Sequence, residues 1–176
     1  MPAVLLFDTN IWSDLLLGNA DEQQRVRQRL GVLRGNYGDF ALATSRLCIV
    51  EALVAARLAS TEEGRARDEK RLWSEFRHPG LVVVELTDKV FGESVDIGDR
   101  AASLRAEMIR RTKALAPTSG ITADGGKLKL PDAIVAASCL HFSPPAVLFT
   151  KNRKDFEVAD GRGGRVALAG LVVEPL

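Results

Sequence analysis

The sequence predicts an α/β protein of three layers, helix, sheet and helix, with a central, mainly parallel sheet of four to five strands. Three observations lead there. Short apolar runs alternate with helical patterns along the whole chain, which is the signature of strands joined by crossover helices. At 176 residues with 46% apolar and 27% charged side chains, the chain has the length and composition of one globular domain with its own core, residues 1–176. No internal repeat or low-complexity segment divides it.

Taken in order, residues 3–7 ("AVLLF") read as a buried strand that stops on "DTN", a turn or cap sequence. Helices follow at about 10–17 and 21–34, and "RGNYGD" supplies the turn into a second strand, "FALATS" at 40–45. The next helix runs from Ser45 or Arg46 to about Leu58. Ser60 or Thr61 ahead of Glu62 and Glu63 caps a charged helix at about 62–77. "LVVVEL" at 81–86 is a third strand, and Thr87 opens a long helix expected to reach Leu115. Residues 116–131, punctuated by Pro117, Gly120, Gly125 and Gly126, read as a flexible or inserted loop. Asp132 starts an apolar helix to about Leu140. "AVLFT" at 146–150 is a fourth strand, and a last one is expected near 166–173, after "GRGG".

Bulk properties narrow the chemistry. Cys48 and Cys139 sit in apolar helical segments, and His78 and His141 have no ligand spacing to them, so the pattern argues against zinc or a disulfide. The longest apolar stretches fall far short of a membrane span, and no secretory segment opens the chain; a cytoplasmic protein without membrane contact is expected. Net charge is +1, so no global field draws in nucleic acid. The charge is uneven, however. Residues 1–63 carry six basic and eight acidic side chains, whereas residues 101–130 carry six basic ones, Arg105, Arg110, Arg111, Lys113, Lys127 and Lys129, against two acidic. Lys151, Arg153 and Lys154 add a second basic cluster, although a solvated surface alone accounts for either group.

In parallel sheets ligands bind beyond the carboxyl ends of the strands, where this chain places Asp8, Ser45 and "TKNRKD". Glu51 falls beside the stripe Leu47, Val50, Val54 and Leu58, which reads as the buried face of its helix. A carboxylate there needs a compensating partner, and Arg46 or Arg57 are the simple candidates. Asp8 and Asp132 each have a sufficient account as helix caps, and Asp155 as a turn acid. Jointly, Asp8, Glu51, Asp132, Asn152 and Asp155 converge on one sheet edge. Converging carboxylates repel unless a divalent cation neutralises them, and all-oxygen ligands suit Mg²⁺, with Mn²⁺ as the alternative.

Four segments, "LLFDTNIW", "TSRLCIVEAL", "LPDAIVAASCL" and "FTKNRKDF", resemble in order and setting the PIN-domain ribonucleases, and among them the VapC-type toxins of toxin–antitoxin pairs. The resemblance implies a PIN-like three-layer fold and an Mg²⁺-dependent endoribonuclease that hydrolyses RNA with metal-activated water, leaving 5′-phosphate and 3′-hydroxyl ends. It assigns Asp8, Glu51 and Asp132 to the metal. The family's fourth acid falls on Asn152, which accepts a hydrogen bond but carries no charge, with Asp155 three residues on. Thr9, Asn10, Ser45 and Thr150 stand as supporting groups. Arg110, Arg111, Lys113, Lys127, Lys129, Lys151, Arg153 and Lys154 would track the RNA backbone. A homodimer and a small VapB-type antitoxin are the implied partners, with the apolar helices at 10–17 and 46–58 as candidate interfaces. Two nuclease-like alternatives stay open, a housekeeping RNA-processing enzyme and an RNA-binding module with impaired catalysis. A haloacid-dehalogenase-type phosphotransferase is disfavoured, because Asn10 stands where its second aspartate is required.

Overall fold

A computed structural model describes residues 3–58, 61–85, 87–90, 93–96, 100–103, 106, 129–159, 165–168 and 171–176. Its centre is a five-stranded sheet in the order β3-β2-β1-β6-β9, every neighbouring pair parallel. These strands are β1 (Ala3–Phe7), β2 (Phe40–Ser45), β3 (Leu81–Val84), β6 (Val147–Thr150) and β9 (Val172–Pro175). Helices α1 (Thr9–Leu16) and α2 (Ala20–Tyr37) link β1 to β2, and α3 (Arg46–Arg57) and α4 (Glu62–Phe76) link β2 to β3. Helix α5 (Leu130–Cys139) precedes β6 and packs on β2 and β6.

The strand order fixes where a ligand can enter. Going from β1, the chain builds outward to β2 and β3, then returns to place β6 on the other side of β1. The carboxyl ends of β1 and β6 therefore diverge into a crevice at the switch of direction, with Asp8 at one lip and Thr150 at the other. The Asp8 amide donates to the Phe149 carbonyl at 3.1 Å, so the ladder holds these ends together up to the crevice itself.

Beneath the crevice lies an aromatic core. Phe7 packs on Trp12 and Phe149 with ring centroids 4.9 and 5.5 Å apart, and Trp12 meets Phe76 edge-on at 5.2 Å. Burying the Trp12 indole leaves an N–H that needs an acceptor; Nε1 donates to Thr44 Oγ1 at 2.9 Å. Cys48 and Cys139 are buried free thiols within this core, as their apolar surroundings predict.

Caps explain the helix starts. Asn19 and Glu22 form a reciprocal capping box on α2, Ser45 Oγ accepts from the Cys48 amide at 3.2 Å, and Thr61 Oγ1 accepts from the Gly64 amide at 3.0 Å. At the end of α2, Gly38 adopts φ +70°, a conformation side chains with a Cβ resist. Helix α5 begins two residues earlier than its first acid suggests, because Pro131 fits the first helical turn, where no amide donor is missed.

Three expectations are corrected. Thr87 does not open a helix: β4 (Thr87–Val90) and β5 (Glu93–Asp96) form an antiparallel ladder, consistent with the β-branched Thr87, Val90 and Val95 and with Gly92 between the runs. Helix is present at residues 100–103, and most of the remainder to Leu115, like most of the 116–131 loop, lies outside the described residues. The single terminal strand is in fact two. β7 (Glu157–Ala159) pairs antiparallel with β8 (Arg165–Ala167), while β9 joins the main sheet. Third, the stripe Val50, Val54 and Leu58 faces outward, with exposures of 50%, 50% and 79%. The buried face of α3 is Cys48, Ile49, Ala52, Leu53 and Ala56, whose small alanines allow close approach of the helix.

The α1–α2 corner rests on Gly18. A Cβ there would lie 2.4 Å from the Asp14 carbonyl oxygen and 2.8 Å from Glu22 Oε2, whereas one at Gly35, inside α2, would meet nothing. Gly18→Ala is expected to destabilise the fold by about 1–3 kcal/mol and Gly35→Ala to stabilise it by about 0.5–1 kcal/mol, read from urea unfolding midpoints.

Candidate metal centre

Asp8 ends β1 and caps α1, and its two oxygens are held unequally, Oδ2 by two donors and Oδ1 by one. Oδ1 accepts from the Thr9 amide at 2.7 Å. Oδ2 accepts from Asn10 Nδ2 and from Thr150 Oγ1, each at 2.7 Å. Asn10 also donates to Thr150 Oγ1 at 3.2 Å and accepts from the Lys151 amide at 3.0 Å, while the Asn152 amide reaches Thr150 Oγ1 at 3.0 Å. This net locks the carboxylate across the β1–β6 crevice. Burial raises the Asp8 pKa; the donors from Thr150, Thr9 and Asn10 work against that rise, and the charge of Glu51 adds to it.

Glu51 projects from α3 toward α1, where it accepts a hydrogen bond from Thr9 Oγ1. Neither simple arginine partner is used: Arg46 pairs with Glu85, and Arg57 with Glu69. Asp132, in the first turn of α5, faces them. Its pKa is raised to about 6 by burial first, then by the charges of Asp155 and Asp8, with Lys129 partly offsetting them. Asp8, Glu51, Asp132 and Asn152 thus line one cavity of about 490 Å³. Asp155 sits on a 3-10 turn (Arg153–Phe156) behind it and acts on Asp132 through its charge.

The remaining predicted residues fall at different distances from this cavity. Thr9 and Asn10 line it, and Thr150 holds Asp8 from below. Ser45 is the buried cap of α3, bonded to Cys48. Lys151 lines the cavity, Arg153 pairs with Glu157, and Lys154 is exposed. Lys129 precedes α5, while Arg110, Arg111, Lys113 and Lys127 lie outside the described residues.

One acid was not anticipated from the sequence. Asp14, buried in α1, lines the same cavity and holds the Lys151 ammonium at 2.9 and 2.8 Å through its two oxygens. The available signal was an acid inside the apolar run "IWSDLLL", the same signal that singled out Glu51.

The donor set fits a hard divalent cation. The groups facing the cavity are carboxylates, amides and hydroxyls; the charge of Glu51 raises the proton affinity of Asp8, and that of Asp8 raises Asp132, so positive charge among them is favourable. Among the described residues no three His, Cys, Asp or Glu side chains come together closely enough to hold a metal ion between them. Mg²⁺ suits such an open arrangement, because it keeps most of its waters and takes one or two carboxylates. Thiolate chemistry is disfavoured, since burial first and the Asp8 charge next push the Cys48 thiol up to about 11.

Comparison with known proteins bears on the fold. No protein-family model and no curated protein matches the chain. Solved structures do. The chain is similar to a chain of VapBC2 from Rickettsia felis, in a complex with a DNA fragment from their promoter, at 14% identity and a TM-score of 0.54, covering 98% of both chains. It is also similar to a chain of FitAcB from Neisseria gonorrhoeae at 17% identity and a TM-score of 0.57, covering 96% of this chain and 95% of that one. A third match is DNA-bound VapBC from Salmonella typhimurium, at 16% identity and a TM-score of 0.58, covering 98% of both. These likenesses establish the three-layer α/β/α PIN-like fold across nearly the whole chain.

The raised Asp132 carboxyl has a measurable consequence. The folded state holds this proton more tightly than the unfolded one, so stability falls as pH climbs from the free value near 3.8 to about 6, and stays lower above. Without metal, Asp132→Asn should exceed wild type in stability by about 1–2 kcal/mol at pH 8, after allowing for solvent screening, and the gap should close at pH 4. Thermal unfolding in EDTA across this range measures it.

Proposed function

We propose that this chain is an Mg²⁺-dependent endoribonuclease acting as the toxin of a toxin–antitoxin pair. The observation that carries the reading is the convergence of Asp8, Glu51, Asp132 and Asn152 on one cavity at the switch point of a PIN-like sheet. The solved structures that share this fold include VapBC and FitAcB, and their kinship in shape supports the toxin assignment.

Asp8 and Asp132 would hold the ion, with Glu51 completing the site. When bound, Mg²⁺ supplies charge that offsets the scissile phosphate and makes water more acidic. The protein's own residues do the rest. Thr150, Asn10 and the Thr9 amide fix the Asp8 oxygens so that the carboxylate does not reorient when the phosphate arrives. Asp132, whose proton affinity is raised by burial and by the charges of Asp155 and Asp8 while the cavity holds no cation, would give up its proton on binding the ion and serve as a charged ligand beside Asp8. Glu51, on the α3 side, would orient water through the carboxylate oxygen that Thr9 does not bond. Asn152 supplies a neutral carbonyl opposite the acids, and Asp155 keeps the Asp132 proton affinity high.

The reading includes a homodimer and a small VapB-type antitoxin. The outward stripe Val50, Val54 and Leu58 supports a protein partner, since a soluble surface rarely leaves three such side chains in register uncovered.

Purified wild type should cleave single-stranded RNA with Mg²⁺ or Mn²⁺, lose the activity in EDTA, and lose at least about 100-fold of it in Asp8→Asn and in Asp132→Asn, measured by single-turnover kinetics. Equal cleavage by all three proteins would overturn the mechanism. RNA binding that survives EDTA, with no cleavage and no Mn²⁺ heat in calorimetry, would identify a binding module instead.

A further inference from the structure

Beside the acidic cavity lies a second one of about 490 Å³ that shares its Asp14–Lys151 wall. Its far wall is a single face of α2: Arg25, Gln28, Arg29 and Val32 recur at spacings of three and four residues. Leu176 closes the floor with Val32, and the Leu176 amide, donating to the Thr150 carbonyl at 3.2 Å, ties this floor to the strand that holds Asp8.

The charges in the cleft are not equivalent. Lys151 is neutralised by Asp14. Arg29 is pinned by Glu174 at 2.7 Å and by the Pro175 carbonyl at 2.9 Å. Arg25 has no ion-pair partner among the described residues, and it is exposed, as is Gln28. Among the described residues the cleft therefore offers two apolar side chains, Leu176 and the half-exposed Val32, an amide able to donate and accept, and a guanidinium, Arg25, without an ion-pair partner.

We infer that this cleft is a nucleotide subsite for single-stranded RNA, seating the base next to the scissile phosphate on Val32 and Leu176 and its phosphate on Arg25. The inference rests on the nuclease reading above and gives the acidic cavity's substrate a direction: from the metal centre over the Asp14–Lys151 wall onto α2. The volume falls within the range of small-ligand pockets. An unpaired base presents an apolar face and a polar edge, which the floor and Gln28 match; a duplex would keep that face stacked. Guanidinium suits phosphate through its fork of donors.

The test uses binding as well as cleavage, so that the two readings fail separately. Fluorescence anisotropy follows a single-stranded oligouridylate roughly 8 nucleotides long, in EDTA, against wild type, Arg25→Ala, Gln28→Ala and, as an α2 control outside the cleft, Arg27→Ala. Arg25→Ala should weaken binding roughly fivefold to tenfold and flatten the slope of log affinity against log salt by about 0.7, one phosphate contact. Gln28→Ala should weaken binding with the salt slope unchanged, and Arg27→Ala should match wild type. In Mg²⁺, Arg25→Ala should raise KM more than it lowers kcat. Thermal unfolding confirms that each variant is folded. Unchanged affinity and salt slope in Arg25→Ala, alongside loss of cleavage in Asp8→Asn, would overturn the subsite and leave the nuclease reading intact. Weakened binding in Arg25→Ala with no cleavage by any protein would overturn the nuclease reading and, with it, the subsite's place beside a scissile phosphate, leaving the cleft as an RNA contact only.

Discussion

The hydrogen bond from Thr150 to Asp8 is the contact on which the site depends. It joins the ends of the two strands between which the sheet changes direction, and it does so with a carboxylate that burial alone would drive toward its neutral form. The Thr9 amide, Asn10 Nδ2 and Thr150 Oγ1 together make an anion tolerable in a place where an unpaired charge would cost several kcal/mol. Every neighbouring element is set by this cradle. α1 starts on Asp8, the backbone after β6 is held through Asn10 and Thr150, and the aromatic cluster of Phe7, Trp12 and Phe149 fills the space directly below.

A second tie keeps the opposite wall in place. Glu174 on β9 accepts from Arg29 and from the Tyr37 hydroxyl, both at 2.7 Å, so that α2 is strapped to the edge strand of the sheet. Burial, together with the hydrogen bond and charge of Glu174, pushes the Tyr37 hydroxyl up to about 12, so the donor persists into the alkaline range where a free tyrosine ionises. With α2 so fixed, the face carrying Arg25 and Gln28 is held against the Asp14–Lys151 wall.

Much of this was legible in the sequence, and the failures have physical causes. The strand ends gave Asp8 and Thr150, because apolar runs stopping on polar residues at one sheet edge leave few alternatives. Glu51 was found for an incorrect reason. Its neighbours Val50, Val54 and Leu58 look like a core stripe, yet α3 packs through Ala52 and Ala56, since small side chains buy closer approach than large ones. Periodicity ranks faces by hydrophobicity and is blind to that fit. The hairpin β4–β5 was missed because a run of charged and β-branched residues satisfies a helical period as readily as an alternating one. Asp14 carried only the signal of an acid in an apolar run; its place in the site, like the α2 cleft, depends on a wall formed with Lys151, more than 130 residues away.

The asparagine at position 152 is best understood from the charge it leaves out. Asp132 already holds its proton to about pH 6 because Asp155 and Asp8 act on it in addition to burial. A further carboxylate on the cavity wall at 152 would raise it again, and the metal-free protein near neutrality would carry either more repulsion or a protonated, non-ligating acid. Asn152 keeps an oxygen on that wall while the charge is displaced to Asp155, one 3-10 turn behind. The arrangement lowers repulsion among the acids of the cavity and with it the cavity's attraction for cations. On the proposed metal-dependent reading, the neutral side chain at 152 therefore bears on how many cations the cavity attracts, and the charges of Asp8, Glu51 and Asp132 on whether it attracts the first.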